Sequence, residues 1–386
     1  MEKDYLHPAA PRLGFGLMRL PKKDNEIDIE QTSAMVDTFL EAGFNYFDTA
    51  YVYEGSEEAA RKALTSRHPR ESYFIASKLP GTRPGLLTRK EDNKRTFFES
   101  LERLGIEYFD SYLLHNNAGE RIELYDRLDS WEFCLRMKQE GYIHRLGFSC
   151  HDTPEKLDEQ LTRHPEMEFV QLQINFIDWE NHFLRAHEMY EVARKHNTPI
   201  VIMEPIKGGM LANLNENFRG RLKEISPEGL TAVVVIHDLT LALRFCASLE
   251  GVPVILSGMS TLEQVKENVR TMKNVKPLTM DERFALLEVA DDLHRKTGLG
   301  CTACRYCTEG CPMQIPIPEY IRVYNDCQAY EDLSAVKRHY GITVLSKPKA
   351  SECVACGQCE SVCPQRLPII KALRDVAVTM GETPSV

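Results

Sequence analysis

The chain carries one cysteine pattern twice near its C-terminus, and this repeat constrains its fold more than any other feature. Each copy reads C-x2-C-x2-C-x3-C-P, first at 301–312 and again at 353–364. Three thiolates two residues apart can wrap one corner of an iron–sulfide cube, so the spacing predicts 4Fe-4S clusters. The predicted ligands are Cys301, Cys304, Cys307, Cys311, Cys353, Cys356, Cys359 and Cys363.

The fourth cysteine of each copy cannot reach the first cube around its proline. In two-cluster ferredoxins that cysteine ligates the other cluster. We therefore expect Cys363 to complete the cluster of the first copy and Cys311 to complete the cluster of the second. Sites that exchange a ligand should fold as one unit. Clusters this close could pass single electrons, although a cluster can also serve only as a structural staple.

Structural zinc and disulfide bonds are the alternative uses of these cysteines. Zinc sites usually show paired C-x2-C knuckles rather than triplets that end in Cys-Pro. The four cysteines outside the repeat are scattered, which is typical of free thiols in a reducing compartment. They are Cys134, Cys150, Cys246 and Cys327.

The overall composition excludes several classes of function. The chain has 386 residues, of which 43% are hydrophobic, enough for a large core plus a small module. Its formal net charge is -10, which gives no electrostatic reason to bind nucleic acid or an anionic membrane. No apolar run approaches the length of a membrane span, and the N-terminus lacks a secretory signal. We expect a cytoplasmic protein.

Before the cysteine repeat, eight strand-like segments alternate with helix-like ones. The predicted strands are Leu13–Met18, Phe44–Asp48, Tyr73–Lys78, Phe109–His115, Ile143–Ser149, Phe169–Asn175, Pro199–Glu204 and Pro253–Ser257. Their apolar content and long crossovers indicate a parallel sheet of the α/β class. Eight such units predict a (β/α)8 TIM barrel. A doubly wound sheet is the alternative, weakened because no G-x-G-x-x-G follows an early strand.

The pattern predicts two domains, a barrel over residues 1–275 and a small, mainly helical dicluster domain over 276–386. Single helices are predicted over Tyr125–Glu140 and Glu180–His196, and a loop over Lys207–Gly229.

Polar side chains cluster at the predicted carboxyl ends of strands two to four, where barrels carry their chemistry. Tyr53 could act as the general acid that protonates a carbonyl oxygen. A free tyrosine, with a pKa of about 10, needs help from a cation such as Lys78. Asp48 would keep that lysine charged, and His115 would orient the carbonyl. Alone, each residue is more often a cap, a solvated charge or a structural histidine.

Four short motifs resemble the signature of the aldo-keto reductase superfamily. They are FDTAYVY at 47–53 (followed by Ser56-Glu57), SKL at 77–79, LH at 114–115 and GFS at 147–149. With the cysteine repeat, the chain resembles the subgroup that has a C-terminal ferredoxin-type domain carrying two 4Fe-4S clusters. The resemblance implies reduction of an aldehyde or ketone, or oxidation of the alcohol. Its implied catalytic residues are Asp48, Tyr53, Lys78 and His115.

The resemblance also implies NADP(H) or NAD(H) lying extended across the barrel mouth. Its nicotinamide end would contact Ser149, Gln171 and Asn175. Its pyrophosphate would contact Glu204, Pro205, Lys207 and Gly208, and its adenosine end Ser257, Gly258, Ser260, Gln264 and Asn268. Gly258 and Gln264 replace the basic residues that commonly bind a 2′-phosphate, so the choice of nucleotide stays open. Ordinary turn chemistry is the alternative for Gly208 and Gly258.

The two predicted modules use electrons differently, because a nicotinamide gives a hydride and a cluster accepts one electron at a time. A flavin normally mediates between them, and no flavin motif is visible. One hypothesis is a carbonyl reductase whose clusters are structural or serve a redox partner protein. The others are an electron-transfer protein with the barrel as a docking scaffold, and cluster-driven reduction of a barrel-bound substrate. The intact catalytic set argues against a scaffold.

Overall fold

The computed structural model describes residues 13–83, 85–181, 184–214, 216–225, 237–273, 275–301, 305–363 and 365–385. The predicted ligand Cys304 lies outside these residues, as does part of the predicted loop at 207–229.

Eight parallel strands close into a barrel in the order β1-β10-β9-β8-β7-β6-β5-β4. This confirms the (β/α)8 prediction and rules out the doubly wound sheet. β2 and β3 form a separate antiparallel hairpin. The strands are β1 Leu13–Gly16, β2 Lys22–Lys23, β3 Glu26–Ile27, β4 Tyr46–Asp48, β5 Phe74–Leu79, β6 Phe109–Leu114, β7 Ile143–Cys150, β8 Phe169–Gln173, β9 Ile200–Met203 and β10 Val254–Gly258.

The barrel strands are almost entirely buried, as expected for a parallel sheet covered on both faces. One core cluster combines large and small side chains from seven positions: Tyr46, Ala76, Leu113, Phe169, Val201, Val254 and Leu256. Close packing also requires a glycine at position 147, because a Cβ there would lie 2.4 Å from the carbonyl oxygen of Phe169. The core therefore holds the strand ends in a rigid ring.

The described helices follow the predicted alternation. They are α1 Ile29–Glu41, α2 Ser56–Ala60, α3 Lys90–Leu104, α4 Glu120–Arg127, α5 Ser130–Gln139, α6 Pro154–Arg163, α7 Ala186–Lys195, α8 Glu216–Ile225, α9 His237–Ala247, α10 Leu262–Lys273, α11 Met280–Thr297, α12 Tyr306–Glu309, α13 Ile317–Ala329, α14 Ser334–Thr343, α15 Gln358–Ser361 and α16 Ile369–Thr379.

Three helix predictions need correction. The single helix predicted over Tyr125–Glu140 is two helices, α4 and α5, because Asp129 adopts a left-handed conformation with φ 51°. α7 begins at Ala186 rather than at Glu180. The loop predicted over Lys207–Gly229 contains α8, an amphipathic helix that buries Phe218 and Leu222. The sequence did not predict this apolar face because the composition of α8 is mainly polar.

The chain divides spatially into two compact units. The first comprises residues 1–175, 185–205 and 243–277, and the second 176–184, 206–242 and 278–386. This division differs from the predicted one at residue 275 because two internal segments group with the C-terminal region. The described part of the second unit is mainly helical. Across the described residues, no helix has the length and apolar character needed to span a membrane.

Candidate active site and cluster cavities

A buried ion pair lies at the carboxyl ends of β4 and β5. Lys78 Nζ donates to Asp48 Oδ1 at 2.6 Å and to the Thr49 carbonyl at 2.7 Å. The Lys78 and Asp48 side chains are only 1% and 6% exposed. Burial by itself would lower the pKa of Lys78, but the Asp48 carboxylate and Tyr53 together raise it above its usual value. The pair therefore maintains a charged ammonium inside the barrel mouth.

Tyr53 and His115 lie beside this ammonium. Lys78 Nζ is 5.0 Å from the centroid of the Tyr53 ring. The Tyr53 and His115 rings meet edge to face, with their centroids 5.7 Å apart and their planes at 86°. The structure thus brings together the four side chains that the strand-end pattern predicts.

The pKa of Tyr53 is set by two opposing effects. Burial raises this pKa above its usual value, and this effect exceeds the lowering by Lys78. Lys78 thus acts in the predicted direction, towards stabilising the phenolate. At neutral pH Tyr53 consequently carries its proton, as a general acid must.

His115 is a neutral imidazole. Burial lowers its pKa well below the usual range, and the charge of Lys78 adds to this effect. Its Nδ1 is buried and has no hydrogen-bond partner among the described residues. The backbone is held in place because Tyr125 Oη donates to the His115 carbonyl at 2.8 Å. His115 can therefore contact a carbonyl oxygen through a hydrogen bond without adding a second positive charge.

The predicted nicotinamide contacts lie on adjacent strands. Ser149 on β7 is paired in register with Gln171 on β8, and both are buried. Ser149 Oγ accepts the Asn116 backbone N–H at 2.7 Å. Gln171 Oε1 is buried without a hydrogen-bond partner in the described structure. A buried acceptor without a partner is costly, and a carboxamide NH2 is a donor of the right kind.

The predicted pyrophosphate contacts lie on the segment that follows β9. Asn175 Nδ2 donates to the carbonyl of Glu204, a residue in left-handed conformation with φ 53°, immediately before Pro205. Lys207 and Gly208 belong to the second unit. The Lys207 ammonium is 2% exposed and forms an ion pair with the fully buried Asp178. Because Lys207 already forms an ion pair with Asp178, a phosphate would have to compete with that carboxylate for the lysine.

The predicted adenosine contacts stabilise one another around the end of β10. Asn268 Nδ2 donates to Ser257 Oγ at 2.8 Å, and the Ser260 N–H donates to Gln264 Oε1 at 2.7 Å. A Cβ on Gly258 would lie 3.1 Å from Arg19 Nη2. Gly258 therefore leaves room for a guanidinium rather than only forming a turn.

Two cavities in the second unit collect the described cysteines of the repeat. One is lined by Cys311 together with Cys353, Cys356 and Cys359. The other is lined by Cys301, Cys307 and Cys363. Each cavity thus combines cysteines of one copy with the fourth cysteine of the other, as the proline argument predicts. The described cysteines form no disulfide bond, and Ile317 lines both cavities.

Residues 12–290 match the Aldo/keto reductase family, and residues 300–367 match a 4Fe-4S dicluster domain. The chain belongs to the aldo/keto reductase family.

Relatives and solved structures of the family extend over most of the barrel region. An aldo-keto reductase of Mycobacterium avium is 29% identical over 264 residues, which cover 67% of this chain and 79% of the relative. A 9,11-endoperoxide prostaglandin H2 reductase of Trypanosoma cruzi is 27% identical, over 55% of this chain and 80% of the relative. The holo form of aldo-keto reductase AKR11C1 from Bacillus halodurans superposes with a TM-score of 0.58 at 27% identity, covering 72% of this chain and 91% of that chain.

The buried Glu57 connects two elements next to the candidate site, a contact that the sequence did not predict. Its buried carboxylate accepts Ser77 Oγ at 2.7 Å and lies 3.3 Å from Arg103 Nη1. These bonds join α2, which follows the Tyr53 loop, to β5, which carries Lys78. The only signal in the sequence is that Ser56-Glu57 continues the family motif.

Arg19 is a second residue that the sequence analysis missed. It follows β1 on the catalytic face, and Ser260 Oγ donates to its carbonyl at 2.7 Å. Its guanidinium lies against Gly258 and has no carboxylate partner within 4.0 Å among the described residues. A basic residue directly after the first strand is the signal that could have found it.

Proposed function

We propose that this aldo/keto reductase transfers hydride from NAD(P)H to the carbonyl carbon of an aldehyde or ketone, and catalyses the reverse oxidation of the alcohol. The observation that carries the proposal is the buried Lys78–Asp48 pair beside a protonated Tyr53. A docking scaffold would have no need for a buried charge at this position, which is expensive to maintain.

Tyr53 provides the proton in this proposal. Bound nicotinamide supplies the hydride, and the carbonyl oxygen takes the phenolic proton from Tyr53. The phenolate left behind is stabilised by the adjacent Lys78 ammonium, which Asp48 keeps charged and oriented. Neutral His115 directs the carbonyl oxygen towards the phenol by a hydrogen bond. The same groups return the proton when an alcohol is oxidised.

Three groups of residues would hold the nucleotide. Ser149 and Gln171 would bind the carboxamide, with Asn175 nearby, and the buried Gln171 oxygen without a partner supports this placement. The segment from Glu204 to Gly208 would face the pyrophosphate. Ser257, Gly258, Ser260, Gln264 and Asn268 would surround the adenosine. Both NADPH and NADH fit this proposal, and competition between them decides the preference.

We propose that the second unit holds two 4Fe-4S clusters with crossed ligands. Cys301, Cys307 and Cys363, which line one cavity, would hold one cluster together with Cys304. The second cluster would be held by the cysteines that line the other cavity, Cys311, Cys353, Cys356 and Cys359. Apolar side chains line both cavities beside these cysteines, and such surroundings suit cluster ligation. The clusters would either stabilise the unit or exchange electrons with a partner protein. The second candidate function is electron transfer by the clusters, with the barrel as a docking scaffold. The exposure of Cys356 favours it, because a partner protein could approach that cluster.

An anaerobic titration of the cluster-loaded protein tests the proposal. Nicotinamide absorbance and the electron paramagnetic resonance signal of reduced clusters would be followed together with NADPH and NADH, with and without a panel of aldehydes and ketones. We expect nucleotide oxidation only when a carbonyl compound is present, with one alcohol formed per nucleotide. Reduction of the clusters by nucleotide without alcohol formation would instead support the electron-transfer candidate.

A further inference from the structure

Positive charge gathers at the catalytic face of a chain whose net charge is -10. Lys78 is neutralised by Asp48, but Arg19 and Arg121 have no carboxylate within 4.0 Å among the described residues. Both arginines are half-buried. On the basis of the proposed carbonyl reduction, we infer that the substrate carries an anionic group, either a carboxylate or a phosphate. We infer that Arg121 binds this group.

The position of Arg121 links it to the reacting carbonyl. It lies in the first turn of α4, directly after the loop that begins with His115. Its Nε donates to the Asn116 carbonyl at 2.7 Å. One turn later, Tyr125 Oη donates to the carbonyls of His115 and Leu79, at 2.8 and 3.3 Å. The start of α4 therefore packs directly on the catalytic loop, and the charge of Arg121 contributes to the lowered pKa of His115.

Most hydrogen-bond donors of the Arg121 guanidinium have no partner among the described residues. A guanidinium has five N–H donors in a planar fork, and the described structure uses only the Nε donor. Asp152, whose Oδ2 accepts the Gly119 N–H, does not come within ion-pair distance of Arg121. A planar fork with free donors matches a carboxylate or phosphate in a bidentate arrangement. A ligand anion would satisfy these donors.

The two unpaired arginines are placed to serve different ligands. Arg19 follows β1 and lies against Gly258, within the predicted nucleotide segment. Arg121 follows β6, and two strands, β4 and β5, lie between β1 and β6 in the barrel. It is therefore beside His115, where the proposed mechanism holds the carbonyl oxygen. This placement assigns the substrate anion to Arg121 and leaves the nucleotide phosphates to the other side of the mouth.

Matched acid and ester substrates test the inference with cluster-loaded full chain. Benzoylformate, succinic semialdehyde and 4-carboxybenzaldehyde would each be compared with the methyl ester by kcat/KM. We expect at least one acid to exceed its ester tenfold or more, and R121Q to bring that ratio to about one. R121K, which keeps the charge but loses the fork, should retain part of the preference. R127Q, on the exposed end of the same helix, is the matched control and should leave the ratio unchanged.

Several results would overturn the inference. Esters reduced as well as their acids by the unaltered protein would show that no anion is recognised. A loss in R121Q that is equal for acid and ester would assign Arg121 only the structural task of holding the Asn116 carbonyl. Loss of the acid preference in R19Q instead would move the anion site to the nucleotide side. If no carbonyl compound of either charge is reduced, the proposed function itself fails together with the inference.

Discussion

The predicted catalytic side chains of the barrel come from separate strand ends, whereas the predicted cluster ligands come from short stretches of consecutive chain. Asp48, Lys78 and His115 end or follow three neighbouring strands, and only the closed ring brings them together. Three ligands of each cluster lie within seven residues, and tertiary structure contributes one exchanged cysteine per cavity. A spacing motif therefore predicts most of a cluster site but only the residue types of the barrel site.

A second contrast involves two buried Lys–Asp pairs, one in each unit. Lys78–Asp48 and Lys207–Asp178 are both almost fully buried. Lys78 lies beside the rings of Tyr53 and His115, which can exchange a proton or a hydrogen bond with a ligand. Burial would lower the pKa of Lys207, but the Asp178 and Asp326 carboxylates raise it above its usual value. A buried pair becomes a reactive site only through its neighbours.

The crossed ligation predicts the largest effect. C311S should remove the cluster whose other ligands are in the second copy, because Cys301 and Cys307 of the first copy line the other cavity. The iron content should fall by about half. Electron paramagnetic resonance spectra of reduced C311S should match those of C356S and differ from those of C307S. A C311S spectrum that matches C307S would show local rather than crossed ligation.

Loss of the Tyr53 hydroxyl should affect only the barrel. We expect Y53F to lower kcat for carbonyl reduction by roughly 10²–10⁴, the usual contribution of a general acid. Iron content should stay unchanged, since Tyr53 is in the first unit. Steady-state kinetics with NADPH, alongside iron analysis, would check both statements. Full activity in Y53F would contradict the proposed proton transfer.

The Lys207–Asp178 pair should matter for stability. D178N leaves a buried ammonium without its counter-charge, which costs about 3–5 kcal/mol. Urea denaturation followed by circular dichroism would measure the lowered midpoint, with D375N on the exposed Lys371–Asp375 pair as a control that changes little. An unchanged midpoint combined with a higher KM for the nucleotide would instead favour Lys207 as a phosphate ligand.

The pH profile should show the smallest change. Tyr53 is active when protonated, and its pKa is raised, so activity should fall only as the pH rises above about 10. The pKa of His115 is lowered well below its usual range, so no inflection is expected between about pH 6 and pH 8. Reduction of an uncharged ester, measured as kcat/KM, avoids titration of the substrate. An inflection near 6.5 would show that His115 titrates in the working range.

Local regularities made much of this protein predictable. The apolar segments that became β4, β5 and β6 were recognisable because buried parallel strands are short and apolar on both faces. The candidate catalytic residues were sought at the ends of these strands because a barrel places its chemistry there. The prediction was less successful for α8, because its buried Phe218 and Leu222 do not stand out against a polar background.

What the sequence by itself determined was the barrel and the doubled cysteine motif, and it predicted the four side chains proposed as catalytic, because each depends on spacing along the chain. Only the tertiary structure decided the direction of the Tyr53 pKa shift, the partner of Lys207 and the contact between Arg19 and Gly258. Burial and ion pairing depend on atoms contributed by distant segments. Their free energies are set by the dielectric surroundings and the distances of the folded protein, which linear spacing does not encode.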